Sequence, residues 1–304
     1  MKIAVIGAGK WGSALFDALS AKNECVITSR TPRQIPHFVS VSEALECEAL
    51  VFVLAAQQTA QWLDQNFTYK NQKILVASKG IDVASGRFLN EIFEAYVARG
   101  NLAYLSGPSF ATEVMQKLPC ALVVSSCNEN LAELFASAFP AYIKTYTSGD
   151  IIGAEVCGAY KNVIAIASGV CDGLELGNNA RASLIARGIV EIARFGKFFG
   201  ARDETFLGLS GVGDLFLTAS SVLSRNYRVG LGLARGKGLE EILRELGEVA
   251  EGVATTEAVV NIAAKHKIYA PIATEVAQIL RGKDVRASLK DLLRKNSRAT
   301  EFTR

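Results

Sequence analysis

From residue 1 to about residue 147, short apolar runs alternate with stretches of helical periodicity. The runs Ile3 to Ile6, Cys25 to Thr28, Leu50 to Leu54, Ile74 to Ala77, Ala103 to Leu105 and Leu122 to Ser125 predict strands, with helices such as Ser13 to Lys22 and Arg87 to Arg99 between them. Strands apolar at successive positions bury both faces, so the pattern predicts a parallel sheet with helices on each side, a Rossmann-type doubly wound α/β domain. After Ser148 the β-branched runs stop. Helical patterns then predict segments over Asp150 to Cys171, Ala180 to Phe199, Arg225 to Ala234, Leu239 to Leu246, Thr256 to Lys265, Ile272 to Leu280 and Val285 to Lys295. No repeat or low-complexity linker separates the halves, so the expected division is 1–147 for the Rossmann domain and 148–304 for an all-helical second domain.

The loop after the first strand turns this architecture into a binding expectation. Gly7-Ala8-Gly9-Lys10-Trp11-Gly12 is a G-x-G-x-x-G between a strand and a helix. In that setting Gly7 permits the tight turn, Gly9 lets the backbone approach a pyrophosphate, and Gly12 lets the helix pack on the strand, which predicts a dinucleotide site. The second strand ends Thr28-Ser29-Arg30, where a carboxylate would bond both ribose hydroxyls of NAD. Ser29, Arg30 and Arg33 suit a 2′-phosphate instead, so NADPH is favoured over NADH.

Composition narrows the partner classes. The chain has 304 residues, half of them apolar, with a net charge of +3, which gives no basic field for nucleic acid and leaves a small anionic substrate as the fitting partner. The six cysteines form no C-x-x-C pair, and reduced thiols are expected. Met1-Lys2 leads directly into the first strand, and charged residues interrupt each long apolar stretch. A cytoplasmic protein without membrane insertion is therefore expected.

Ser78-Lys79-Gly80, Gly107-Pro108-Ser109-Phe110-Ala111, Gly158-Ala159-Tyr160-Lys161-Asn162-Val163, Gly211-Val212-Gly213-Asp214-Leu215, Ser224-Arg225-Asn226 and Glu251-Gly252 follow in this order. Together they resemble the bacterial NAD(P)-dependent glycerol-3-phosphate dehydrogenase family over essentially the whole chain. The resemblance implies that Lys161 is the proton acceptor in alcohol oxidation and that Lys79, Gly107, Ser109, Lys161, Asp214, Ser224, Arg225 and Asn226 contact the phosphorylated substrate. It implies that Trp11, Arg30, Arg33, Lys79, Ala111, Arg225, Val249 and Glu251 line the cofactor, that the product serves phospholipid synthesis, and that the enzyme is a homodimer. No metal is expected. Tyr160 departs from the family's pattern, standing where a leucine is common.

The chemistry of ketone reduction points to the same residues. Ketone reduction needs a proton donor, and only His37 and His266 are present as histidines, in contexts that suggest surface positions. Lys161 lies within an apolar helical run, so its ammonium is expected to be buried, with Asp214 as the carboxylate that orients it. Lys79, at the carboxyl end of the fourth strand, would stabilise the alkoxide and lower the proton affinity of Lys161. Ser224 reads as an N-cap with the Arg225 fork beside it, suited to a phosphoryl group. Pro108 reads as the first residue of a helix. These residues alone leave open other lysine-acid reductases, such as the β-hydroxyacid dehydrogenases and ketopantoate reductase, and a nucleotide-sensing Rossmann protein without turnover.

Overall fold

Along β1 (Lys2–Ile6) successive side chains enter opposite apolar clusters: Ile3 and Val5 pack with Leu15, Leu19 and Phe135, while Ala4 and Ile6 pack with Phe52, Leu63 and Phe93. A strand buried on both faces needs a helical layer on each, and the computed structural model, which describes residues 1–294, shows this arrangement. The chain runs β1, α1 (Lys10–Ser20), β2 (Glu24–Thr28), α2 (Val41–Ala44), β3 (Ala49–Phe52), α3 (Ala56–Asn66), β4 (Lys73–Val76), α4 (Leu89–Phe93), β5 (Leu102–Ser106), α5 (Ala111–Met115), β6 (Cys120–Ser125), α6 (Glu129–Ser137) and β7 (Ile143–Ser148). The strand order is β2-β1-β3-β4-β5-β6-β7. Order reverses at β1 and β3, the switch point where doubly wound sheets bind ligands at the carboxyl ends of strands.

Four features depart from the sequence expectation. β5 and β6 pair antiparallel, whereas every other neighbouring pair is parallel. Only the five-residue α5 lies between them, too little for a full crossover helix. β7 has no counterpart among the expected strands: Ile143-Lys-Thr-Tyr-Thr-Ser148 sits on the sheet edge with mostly accessible side chains and lacks an apolar run. The helix expected over Arg87 to Arg99 is confined to α4, and Pro108 lies outside α5, whose N-cap is Phe110.

Beyond β7 the described chain is helical: α7 (Ile151–Gly173), α8 (Gly177–Phe198), α9 (Asp203–Leu207), a π-turn at Leu209–Gly213, α10 (Asp214–Ala219), α11 (Arg225–Ala234), α12 (Leu239–Leu246), α13 (Glu251–His266), α14 (Pro271–Leu280) and α15 (Val285–Leu293). The expected end of the last helix at Lys295 lies outside the described residues. α7 has the length and mean hydropathy (1.2) of a membrane span, yet 89% of that window is buried within the protein, as befits a core helix. α7 and α11 approach until a Cβ on Gly169 would meet the Tyr227 carbonyl oxygen at 2.0 Å, and one on Gly230 the Ile166 carbonyl oxygen at 2.0 Å. Only glycine permits that crossing.

The chain divides into two units, one of Met1–Lys79 with Arg87–Glu155, the other of Gly80–Gly86 with the residues from Val156 onward. The expected boundary at 147/148 falls before the last residue of β7, ahead of the division between Glu155 and Val156 inside α7.

Candidate active site

The candidate residues form two groups, one in each unit. In the first, the Gly7 N–H donates to the Thr28 carbonyl at 2.8 Å, turning the chain out of β1. Gly7 has φ +117°, and a Cβ there would lie 2.3 Å from the Val53 carbonyl oxygen; one on Gly12 would lie 1.7 Å from that of Gly7. A Cβ on Gly9 would meet nothing within 4 Å. Gly7 and Gly12 are thus fixed by the fold, while the bare backbone at Gly9, the N-cap of α1, faces open space that a pyrophosphate can enter. No side chain caps α1 and no acidic residue occupies its first turn, which begins Lys10-Trp11. The Trp11 indole N–H donates to the Ala77 carbonyl at 3.2 Å, and Trp11 and Ala111 pack against one sheet cluster.

Arg30 and Arg33 are exposed after β2. The Ser29 hydroxyl is turned to the Thr31 carbonyl, 2.7 Å away. Lys79 follows β4, and Gly107 follows β5; with β1, β3, β4 and β5 parallel, Gly7, Lys79 and Gly107 share the carboxyl edge of the sheet. The Ser109 hydroxyl folds back to the Gly107 carbonyl at 3.3 Å. These are loop residues, not the helix opening that Pro108 suggested.

The second group centres on Lys161, 8% exposed in the middle of α7. Its Nζ donates to Asp214 Oδ1 at 2.5 Å and to Thr218 Oγ1 at 3.0 Å. Asp214 opens α10 and Thr218 sits one turn later, so both present oxygens on one helix face. The carboxylate and the hydroxyl thus fix Nζ in one position at the centre of the helix.

Ser224 caps α11: its Oγ accepts from the Tyr227 N–H at 3.2 Å. Arg225 Nη1 lies 3.2 Å from Glu248 Oε2, with Val249 exposed and Glu251 following at the start of α13. Asn226 is buried, its amide nitrogen donating to Asn162 Oδ1 at 2.9 Å and its oxygen accepting from the Gly252 N–H at 2.9 Å. Both of its polar ends are used within the protein, an anchoring geometry for the segments carrying Arg225 and Glu251.

The sequence does not mark Thr218, Asn162 and Glu248 as site residues. Thr218 stands four residues after Asp214 in a helix the sequence pattern did not reveal, and Asn162 follows Lys161 directly. Their spacing is the signal that could have found them. His37 and His266 are exposed, and the His266 ring lies tilted against that of Phe198, centroids 4.8 Å apart.

Comparison with known proteins agrees across the chain. The family profile for the C-terminus of NAD-dependent glycerol-3-phosphate dehydrogenase matches residues 150–290, and that for its N-terminus matches residues 27–132. Glycerol-3-phosphate dehydrogenase [NAD(P)+] of Campylobacter lari is 63% identical over 96% of this chain and 98% of its own, and that of Sulfurimonas denitrificans 61% identical over 96% and 99%. The crystal structure of glycerol-3-phosphate dehydrogenase from Coxiella burnetii superposes with a TM-score of 0.88 at 31% identity, covering 97% of this chain and 99% of that one.

Proposed function

The chain belongs to the NAD-dependent glycerol-3-phosphate dehydrogenase family and is an NAD(P)-dependent oxidoreductase interconverting dihydroxyacetone phosphate and sn-glycerol 3-phosphate; on that premise we propose that Lys161 is its acid/base. The observation that supports this assignment is the buried Lys161 ammonium, 2.5 Å from Asp214 and 3.0 Å from Thr218.

When bound, the reduced nicotinamide supplies the hydride. The glycine loop fits its pyrophosphate, since Gly9 leaves the approach to the α1 N-terminus open, and Trp11 and Ala111 would lie along it. Arg30 and Arg33 would pair with a 2′-phosphate and favour NADPH. In ketone reduction Lys161 gives a proton to the oxygen that becomes the alcohol; in oxidation the neutral amine takes it back. Asp214 and Thr218 hold Nζ in place through both directions. Arg225, at the N-terminus of α11, would exchange Glu248 for the substrate phosphate. Ser224 and Asn226 hold that helix start. On the family resemblance we extend substrate contact to Lys79, Gly107 and Ser109, cofactor contact to Lys79, Val249 and Glu251, and the cellular role to a homodimer supplying phospholipid synthesis; on the sequence pattern we extend cofactor contact to Lys10 of the glycine loop, the domain division to 1–147 and 148–304, and the location to the cytoplasm.

The test is a steady-state comparison of dihydroxyacetone phosphate, dihydroxyacetone and short keto acids with each coenzyme, in the wild type and in Arg225→Ala. Wild type turns over the phosphorylated ketone. Arg225→Ala loses about a hundredfold in kcat/KM on it, the scale of a lost charge-assisted pair of bonds, and far less on dihydroxyacetone. A wild type that prefers keto acids would favour the carboxylate-reducing relatives. An equal loss on both ketones would assign Arg225 to the coenzyme or the fold.

A further inference from the structure

Tyr160 and Lys161 are neighbours on α7, about 100° apart around the helix, and each meets a different partner. Lys161 faces α10. Tyr160, fully buried, faces α8: its hydroxyl donates to Glu191 Oε1 at 2.8 Å and its ring meets that of Phe195 edge-on at 5.2 Å. Glu191 is itself 2% exposed and makes two further bonds, accepting the Ile272 N–H on Oε2 and the Ala273 N–H on Oε1, each at 2.9 Å.

Those two amides open α14. Its first residue, Pro271, has no N–H, and its N-cap, Ala270, has no side-chain acceptor. Glu191 therefore does the work of an N-cap from another helix, and one buried carboxylate ties α7, α8 and the start of α14 together. Burial raises the Glu191 carboxyl above its ordinary value, while its three donors and the Arg194 guanidinium pull the other way. Around this tie α7 presents Ala159, Val163 and Ile164, all fully buried. Apolar packing of this kind is non-directional, whereas hydrogen bonds on either side of Lys161, Tyr160 to Glu191 and Asn226 to Asn162, specify the rotation of the helix.

We propose that Tyr160 and Glu191 are positioning residues for the reaction: their hydrogen bond sets the rotation of α7 and so holds Lys161 Nζ against Asp214 and Thr218. The inference rests on Lys161 being the acid/base. It also gives a role to the hydroxyl of the buried Tyr160.

The test compares kcat, KM and the pH dependence of kcat in wild type, Tyr160→Phe, Glu191→Gln, the double variant and Lys161→Ala, with a thermal melt of each. Tyr160→Phe keeps the ring and removes only the hydroxyl. We expect it to melt close to wild type, to lose about tenfold in kcat, the order expected for a displacement below 1 Å, and to keep both KM values within about twofold. Its pH profile shifts, because the surroundings of Lys161 change. The double variant loses no more than the worse single one, since both break one tie. A folded Tyr160→Phe with wild-type kcat and pH profile, beside an inactive Lys161→Ala, overturns the proposal. An active Lys161→Ala overturns instead the assignment on which it rests. If Glu191→Gln fails to fold for want of the α14 cap, Tyr160→Phe alone decides the matter.

Discussion

At the scale of single residues the chemistry depends on one buried ion pair. Lys161 and Asp214 side chains are 10% and 2% accessible, so each charge is held by the other and by Thr218 in place of water. Removing one partner of such a pair leaves an uncompensated buried charge. Asp214→Ala is expected to lose about 3–5 kcal/mol in urea unfolding, while Lys161→Met combined with Asp214→Leu recovers most of it. A loss under about 1 kcal/mol would show that water reaches the pair. The exposed Arg30 offers a second residue-level prediction. Arg30→Asp combined with Arg33→Ala places a carboxylate where the ribose hydroxyls of NADH can bond and a 2′-phosphate is repelled. The NADPH:NADH ratio of kcat/KM should fall by at least about a hundredfold; a wild type that already prefers NADH would contradict the reading of this strand end.

At the scale of elements, what was legible in the sequence follows from burial. The strands β1 to β6 have mostly apolar side chains and stand out as runs, whereas the accessible edge strand β7 carries Lys144, Thr145 and Thr147 and does not. Helices α11 and α12 are bounded in the sequence as they are in the structure, because Ser224 and Gly247 mark a true N-cap and a left-handed C-cap. The short α9, the π-turn and α10 escape the sequence pattern: each has too few residues for a helical period to show, yet α10 brings Asp214 and Thr218 to Lys161. Pro108 suggests a helix opener, but the helix starts three residues later. The start of α7 gives a pH prediction. Glu155 accepts the Asn90 N–H at 3.2 Å at the start of α4, and burial pushes its carboxyl up to about 8 against the pull of the Asn90 and Leu89 amides. The unfolded chain releases that proton near the ordinary value of 4.5. Between those values the folded state holds a proton that the unfolded state has lost, so stability falls as pH rises across the window and levels off above it. Glu155→Gln should remove this fall, on the order of a few kcal/mol, in unfolding curves taken from pH 5 to 9; parallel curves for both proteins would contradict it.

At the scale of the whole molecule the chain has two structural regimes: a sheet unit whose glycine loop and strand ends suit a dinucleotide, and a helical unit whose centre holds a buried lysine. The first was legible because a glycine fingerprint works through backbone geometry that a sequence spells out. The second was legible chiefly through family resemblance, because Lys161, Asp214 and Thr218 are brought together across 57 residues by packing that no local pattern encodes. The glycine loop alone fits many dehydrogenases, so the account stands or falls on the lysine. Its most direct test is the rate of NADPH oxidation with saturating dihydroxyacetone phosphate by Lys161→Ala, with coenzyme affinity measured on the same preparation. The account predicts turnover lowered by at least about a hundredfold, the contribution of a general acid, with NADPH bound as tightly as in wild type. Near wild-type turnover in that variant would contradict it.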